Sequence, residues 1–294
     1  MKTTITVFVI LLNLFCIAQQ NLVINGSFEV LDSQFYSPTH RLTYFPADNW
    51  WKEDASTPDY LHPKHLNGYL RTPHTAIGKL HGQDGVGFVH LMLIYVPVGK
   101  SVFDKGSTEH VQGELTDTLQ AGKTYKISFW AKTTLESSEY FYDNFGIRFE
   151  SQKSDFAKNG YSSKRQYDCH YWNSITPSFT ADIANKKGNF ITDSSWVEIS
   201  GIYTAKGGEK FITIGLFWDD NPKIVKEWQR INNKYSKKFK PDQIMRISES
   251  DKRKFSRVFI KYALKKNPNK SMWGEGIDDS ASILIDNVSV VALD

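Results

Sequence analysis

The chain has 294 residues, 40% hydrophobic, 14% aromatic and 23% charged, with only two cysteines. That length can bury a sizeable core, and the composition excludes a disordered chain. Two cysteines exclude a disulfide-stapled scaffold, and no paired Cys/His spacing for structural zinc occurs. The formal charge of +4 looks mildly basic, but it conceals two unlike regions.

Lys2 precedes an apolar run from Ile5 to Ile17, and Cys16-Ile17-Ala18 offers a small-x-small cleavage site. These features predict a secretory signal peptide over residues 1–18, too short for a comfortable membrane span. Phe15 sits where a lipoprotein signal needs a small residue, so cleavage after Ala18 is the expected processing. Cys16 would leave with the signal, and Cys169 would be the one remaining thiol. No later stretch approaches spanning length, so no transmembrane span is expected in the exported chain.

From Asn21 to about Trp218 the pattern is all-β. Strands are predicted at Gly87–Tyr95 and Val111–Leu119. Thr124 to Lys132 alternates cleanly, with Tyr125, Ile127, Phe129 and Ala131 on one face and Lys126, Ser128, Trp130 and Lys132 on the other. Phe145, Ile147 and Phe149 repeat the period of two, as do Val197 and Ile199, and then Ile212, Ile214 and Leu216. Gly-containing turns at 121–123, 187–189 and 207–208 separate these runs, and a final strand is expected at Ser282–Val291. Many short strands with such turns predict a sandwich or jelly roll.

Residues 221–272 read differently. Ile224, Trp228, Ile231, Tyr235 and Phe239 form one helical stripe after Pro222. A second helix is predicted from Ser248, with Asp251 as its capping-box acid, up to Asn267-Pro268. This stretch holds 16 Lys and Arg against four Asp and Glu, a net +12 that leaves −8 for the rest of the chain. The expected architecture is thus an acidic β-sandwich with a basic α-helical pair inserted before the last strand. No internal repeat of solenoid or propeller length is visible.

Asn21-Leu22-Val23-Ile24-Asn25-Gly26-Ser27-Phe28-Glu29 opens this region and Ile283-Leu284-Ile285-Asp286-Asn287-Val288-Ser289-Val290 closes it. The pair resembles the galactose-binding-like jelly rolls, especially non-catalytic carbohydrate-binding modules associated with xylanases and glucanases. Thr57-Pro58-Asp59-Tyr60, Leu119-Gln120-Ala121-Gly122-Lys123-Thr124-Tyr125, Asp143-Asn144-Phe145-Gly146 and the segment Gly201 to Glu209 look like one branch of secreted Gram-negative envelope proteins, often fused to OmpA-like domains. The resemblance covers roughly residues 21–220 and 280–294, and no OmpA-like segment is expected within the 294 residues. It implies a jelly roll with a structural calcium where the first and last strands meet, held by Glu29 and Asp286. Asn287 stands where the motif often has a second Asp.

A pyranose has apolar C–H faces and a polar rim, so it needs flat aromatic faces beside hydrogen-bonding groups. Trp130, opposite the core face of its strand, is the foremost aromatic candidate, with Gln112, Glu114 and Arg148 expected on neighbouring strands. Trp50, Trp51, Tyr140, Tyr142, Trp172 and Trp218 are loop candidates. His62, His65, His74, His81 and His90 read as loop histidines, because Pro63 prevents His62 and His65 from sharing a helical face.

Catalysis finds little support: there is no nucleophile elbow, zincin motif, P-loop or dinucleotide fingerprint. Glycosidase carboxylates have no local signature, so Glu114, Glu136, Glu139 and Glu150 stay open. Cys169-His170 is a dipeptide whose side chains would point to opposite faces of a strand. The leading expectation is an exported, non-catalytic protein, periplasmic or on the cell surface, that binds glycan or envelope polysaccharide. The alternative is a structural or adhesion protein whose residues 222–271 dock to an anionic envelope surface; an esterase or glycosidase ranks behind both. Lysines outnumber arginines there, which does not suit base reading, and no nucleic-acid partner is expected.

Overall fold

The computed structural model describes residues 19–32, 45–52, 58–65, 72, 81–96, 109–133, 140–141, 143, 145–153, 181–186, 188–192, 195–217, 226, 265–266 and 279–293. Their strands, in chain order, are β1 (Trp50–Lys52), β2 (Asp59–Leu61), β3 (Phe88–Val96), β4 (Val111–Glu114), β5 (Thr124–Thr133) and β6 (Tyr140–Phe141). There follow β7 (Phe145–Glu150), β8 (Ile183–Ala184), β9 (Val197–Thr204), β10 (Phe211–Leu216), β11 (Lys265–Lys266) and β12 (Asp279–Ala292).

Ten of these strands build two five-stranded antiparallel sheets, ordered β1-β4-β10-β7-β8 and β2-β3-β12-β5-β9, and β6 pairs with β11. The period of two drives the layering. Ile127 and Phe129 of β5, Phe145 and Ile147 of β7, and Ile212 and Ile214 of β10 point inward and are almost wholly buried in one core. Rings interlock across the layers: Phe129 meets Phe145 edge-on with centroids 5.6 Å apart, and Phe149 stacks on Tyr203 at 4.3 Å. The described residues thus form a β-sandwich.

The N-terminal segment fastens the two sheets. Leu22 N–H donates to the Val290 carbonyl (2.8 Å) and Ile24 N–H to the Glu114 carbonyl (3.0 Å), one in each sheet. The Asn21 side chain donates to the Val288 carbonyl (2.9 Å) and accepts from Val290 N–H (2.9 Å). Gly26 is required here by close approach, since a Cβ would lie 2.1 Å from the Val288 carbonyl oxygen. The opening and closing motifs of the sequence therefore pack against each other.

The strand predictions hold along β3, β5, β7, β9, β10 and β12, with β4 shorter than expected, since Asp117 and its neighbours turn outward to solvent. The helix expected from Ser248 is corrected at its end: Lys265 and Lys266 pair with Phe141 and Tyr140 as a strand. Lys265 and Lys266 are thus already extended before Asn267-Pro268, where the predicted helix ends. Of the rest of the helical pair expected at 221–272, only Lys226 is described, and no helix element stands among the described residues; the remainder, like residues 1–18, lies outside them.

Candidate functional site

On the outer face of the β1-β4-β10-β7-β8 sheet, alternation places Trp51, Gln112, Glu114, Phe211, Thr213, Arg148 and Glu150 side by side. Their inward neighbours fill the core, so these seven project outward. Gln112 and Thr213 are fully buried and form a polar floor. Gln112 Nε2 donates to Glu150 Oε2 (2.5 Å) and its Oε1 accepts from Trp51 Nε1 (2.8 Å). The Thr213 hydroxyl donates to the same Glu150 oxygen (2.6 Å), and the Arg148 guanidinium takes the other. This chain fixes polar groups from four strands, with little rotamer entropy left to lose.

Half-buried side chains surround the floor. Trp51 meets Phe211 edge-on, with centroids 5.7 Å apart. Lys210 stands 3.6 Å from Glu114 and also donates to the Thr116 carbonyl (2.9 Å). At the rim the exposed Lys153 carries its ammonium 3.6 Å from the centre of the Trp51 ring. At the far end of β10, His110 Nε2 donates to the Leu216 carbonyl (3.1 Å), and any Cβ on Gly215 would lie 2.1 Å from the His110 ring. Two aromatic rings beside fixed donors and acceptors can hold a ring with an apolar face and a hydroxyl rim.

The structure brings Gln112, Glu114 and Arg148 together but separates them from Trp130. The neighbours of β5 are β12 and β9, so Trp130 lies half-buried on the outer face of the other sheet, opposite Asp286 and Glu198. Alternation told which face of β5 was outer; it carried no information on which strands would flank it. Trp50 is corrected from loop candidate to core residue: it is 3% exposed, its indole N–H donating to the Ile24 and Asn25 carbonyls at 3.2 and 3.0 Å. Trp51, the next residue on the strand, takes the opposite face. Trp172, Tyr142 and Trp218 lie outside the described residues, as do Glu136, Glu139, Cys169 and His170.

Glu29 and Asp286 do meet, on the loop 82–87. Asp286, wholly buried, accepts N–H bonds from Gln83 (2.7 Å) and Asp84 (3.0 Å) on Oδ2 and from Asn287 (2.7 Å) on Oδ1. Glu29 Oε1 accepts from Val86 (2.8 Å) and Gly87 (2.6 Å). Burial pushes the Asp286 carboxyl up to about 7 against these bonds, and the Glu29 charge adds to the rise. Calcium needs six to eight oxygens around it. Backbone amides meet three of the four carboxylate oxygens, those of the loop on two and that of Asn287 on the third, so in this structure the two carboxylates form an amide clamp.

Among the described residues no group of histidines and acids is placed to hold a metal ion. His62 stacks on Tyr60 with centroids 5.9 Å apart and accepts from Lys64 N–H on Nδ1 (3.0 Å), a turn built by Pro63. His90, grouped with the loop histidines although it falls within the strand predicted at Gly87–Tyr95, sits on β3, 4% exposed, with Nδ1 3.4 Å from Asp59. Residues that sequence reasoning passed over are Thr213 and Phe211, outward positions of β10, and Lys153. The alternation around Ile212 and Ile214 marked the first two as outward; nothing local marked Lys153.

No protein-family model matches the chain, and no curated protein matches it. Among solved structures, the chain is similar to the K1 cleaved adhesin domain of Lys-gingipain from Porphyromonas gingivalis, at 13% identity over 85% of this chain and 94% of that one, TM-score 0.35. It is similar to a CBM4 structure at 13% identity, covering 92% and 99%, TM-score 0.31. The CBM22-1 xylan-binding domain of Paenibacillus barcinonensis Xyn10C follows at 11% identity, covering 73% and 77%, TM-score 0.30.

Proposed function

We propose that this chain is an exported, non-catalytic jelly-roll module that binds glycan on the outer face of the β1-β4-β10-β7-β8 sheet. One observation carries the reading: Trp51 and Phe211 stand beside a polar floor of Gln112, Thr213 and Glu150 whose groups are already fixed by one another. The rings supply stacking, and Glu114, Glu150 and Arg148 supply contacts to hydroxyls. Both Glu150 oxygens are engaged, one by Gln112 and Thr213 and the other by Arg148. Export rests on Lys2 and the apolar run from Ile5 to Ile17; N-terminal sequencing of the secreted protein should begin at Gln19.

Affinity electrophoresis against a panel of plant and bacterial polysaccharides tests the binding. Phe211→Ala and Trp51→Ala should each weaken retardation by about tenfold, a loss of roughly 1.4 kcal/mol. A panel with no retarding polysaccharide, or retardation indifferent to both substitutions, sinks the reading. The net +12 of residues 221–272 supports a second role, docking to an anionic envelope surface. Deleting residues 222–271 should then release the protein from envelope fractions at physiological salt.

A further inference from the structure

We infer that this face prefers acidic glycans, chains bearing uronate carboxylates, because Lys153, with no carboxylate partner among the described residues, holds its ammonium over the ring on which a sugar would stack. The inference rests on the glycan reading above and names its ligand class. The charges of the face fall into two kinds. Glu150 is taken by Arg148, and Glu114 stands against Lys210; both pairs are partly buried. Lys153 is exposed and has no carboxylate partner among the described residues; its contact is the Trp51 ring, 3.6 Å away. Among the described residues the surplus charge at the accessible rim is therefore positive, and it stands over an aromatic face.

That placement separates neutral from acidic ligands. A neutral pyranose stacking on the covered face of Trp51 must push the ammonium aside and forfeit the cation–π contact. A uronate offers its carboxylate to the same ammonium from the solvent side, so Lys153 stays on the ring and gains an ion pair. The floor contributes little to this choice, since its acceptors and donors already satisfy one another. Lys153 is thus a specificity residue at the edge of the proposed site.

The test pairs each of three uronate polymers, polygalacturonate, glucuronoxylan and alginate, with its carboxyl-reduced form, using the full chain and affinity electrophoresis or calorimetry. Reduction removes the charge and keeps the backbone. At least one acidic polymer should bind roughly fivefold more tightly than its reduced form, the factor an ion pair of about 1 kcal/mol gives. Lys153→Met should abolish that ratio, with the reduced polymer bound as tightly as before or up to about fivefold more tightly, because no cation–π contact is then forfeited, while Lys153→Arg keeps the ratio. Equal binding of every pair, or a ratio that survives Lys153→Met, overturns the inference and leaves the glycan reading standing. The second outcome would assign the preference to charge elsewhere, such as residues 221–272. If neither these polymers nor any neutral chain binds, the glycan reading itself fails.

Discussion

The two outer faces of the sandwich obey the same alternation and end up chemically unlike. On the β1-β4-β10-β7-β8 sheet, the outward side chains are polar or charged, bonded to one another across four strands, with Trp51 and Phe211 at one end. On the β2-β3-β12-β5-β9 sheet, Leu61, Phe88 and Leu284 are wholly buried in a small apolar cluster packed by Trp196, and Lys132 lies 5.8 Å over the Trp196 ring. Beside that cluster, Asp286 spends its charge on loop amides. The first face carries a polar network flanked by two half-buried rings; the second is largely consumed by the fold. An outward position is thus necessary for a binding residue and does not identify one.

The largest expected effect breaks the second face. Asp286→Ala strands three N–H donors around a buried site, and each unsatisfied buried group costs about 1–3 kcal/mol. Thermal unfolding should show a loss of about 3 kcal/mol or more, a drop of roughly 6–12 °C for a domain of this size. Glycan affinity of the folded fraction should stay unchanged. The same melts with calcium or with EDTA should superimpose, because the clamp is made of amides. A calcium-dependent rise in midpoint would show that the loop opens to take the ion and would overturn the clamp.

The next effect breaks the first face. Glu150→Ala leaves Arg148, Gln112 and Thr213 without their shared acceptor, at about 2 kcal/mol of stability. Its distinguishing result is in binding: polysaccharide retardation should vanish while the variant remains folded at 25 °C. Retained affinity in a folded variant would show that the network is internal bracing and that the ligand lies elsewhere.

A smaller effect lies at the corner joining β9 to β10, which belongs to both sheets. Glu209, 5% exposed, accepts from the Tyr203 hydroxyl (2.8 Å), Lys206 N–H (2.7 Å) and Gly207 N–H (2.8 Å). Burial works to raise its carboxyl, but the Tyr203 hydroxyl and these amides outweigh it and hold Glu209 below its ordinary value. A depressed folded pKa stabilises above the unfolded value, near 4.5, and that stabilisation is lost as pH falls through the folded one. Melts between pH 6 and about pH 3 should therefore fall less steeply for Glu209→Gln than for the parent. Parallel curves would mean that Glu209 keeps its charge without help from the corner.

Much of this was legible in the residues. The strands from β3 to β12 with a clean period of two, the meeting of Asn21–Glu29 with Ile283–Val290, and the inward turn of Phe129, Ile147 and Ile212 follow from alternation and the two terminal motifs. Strand order was not legible, because pairing between segments such as β4 and β10 is set by long-range packing and leaves no local mark. That is why Gln112 and Arg148 were found as outward residues yet assigned to the wrong aromatic. Trp50 and Trp51 needed a three-residue strand, too short for any period to show, to divide one into the core and the other onto the face.

Trp130 gives the smallest expected effect and the sharpest test of the comparison. It is the aromatic that the sequence favoured, and its strand neighbours on the outer face, Lys126 and Ser128, leave it half-buried beside Asp286 and Glu198. A lone indole flanked by two carboxylate positions lacks the fixed donors that Trp51 and Phe211 have close by. Trp130→Ala should lower stability by about 1 kcal/mol, from partial loss of apolar burial, and leave polysaccharide affinity within about twofold. Trp51→Ala measured in parallel should do the reverse. If Trp130→Ala abolishes retardation and Trp51→Ala does not, the functional face is the one that the fold seemed to have consumed, and the polar network on the other sheet is its bracing.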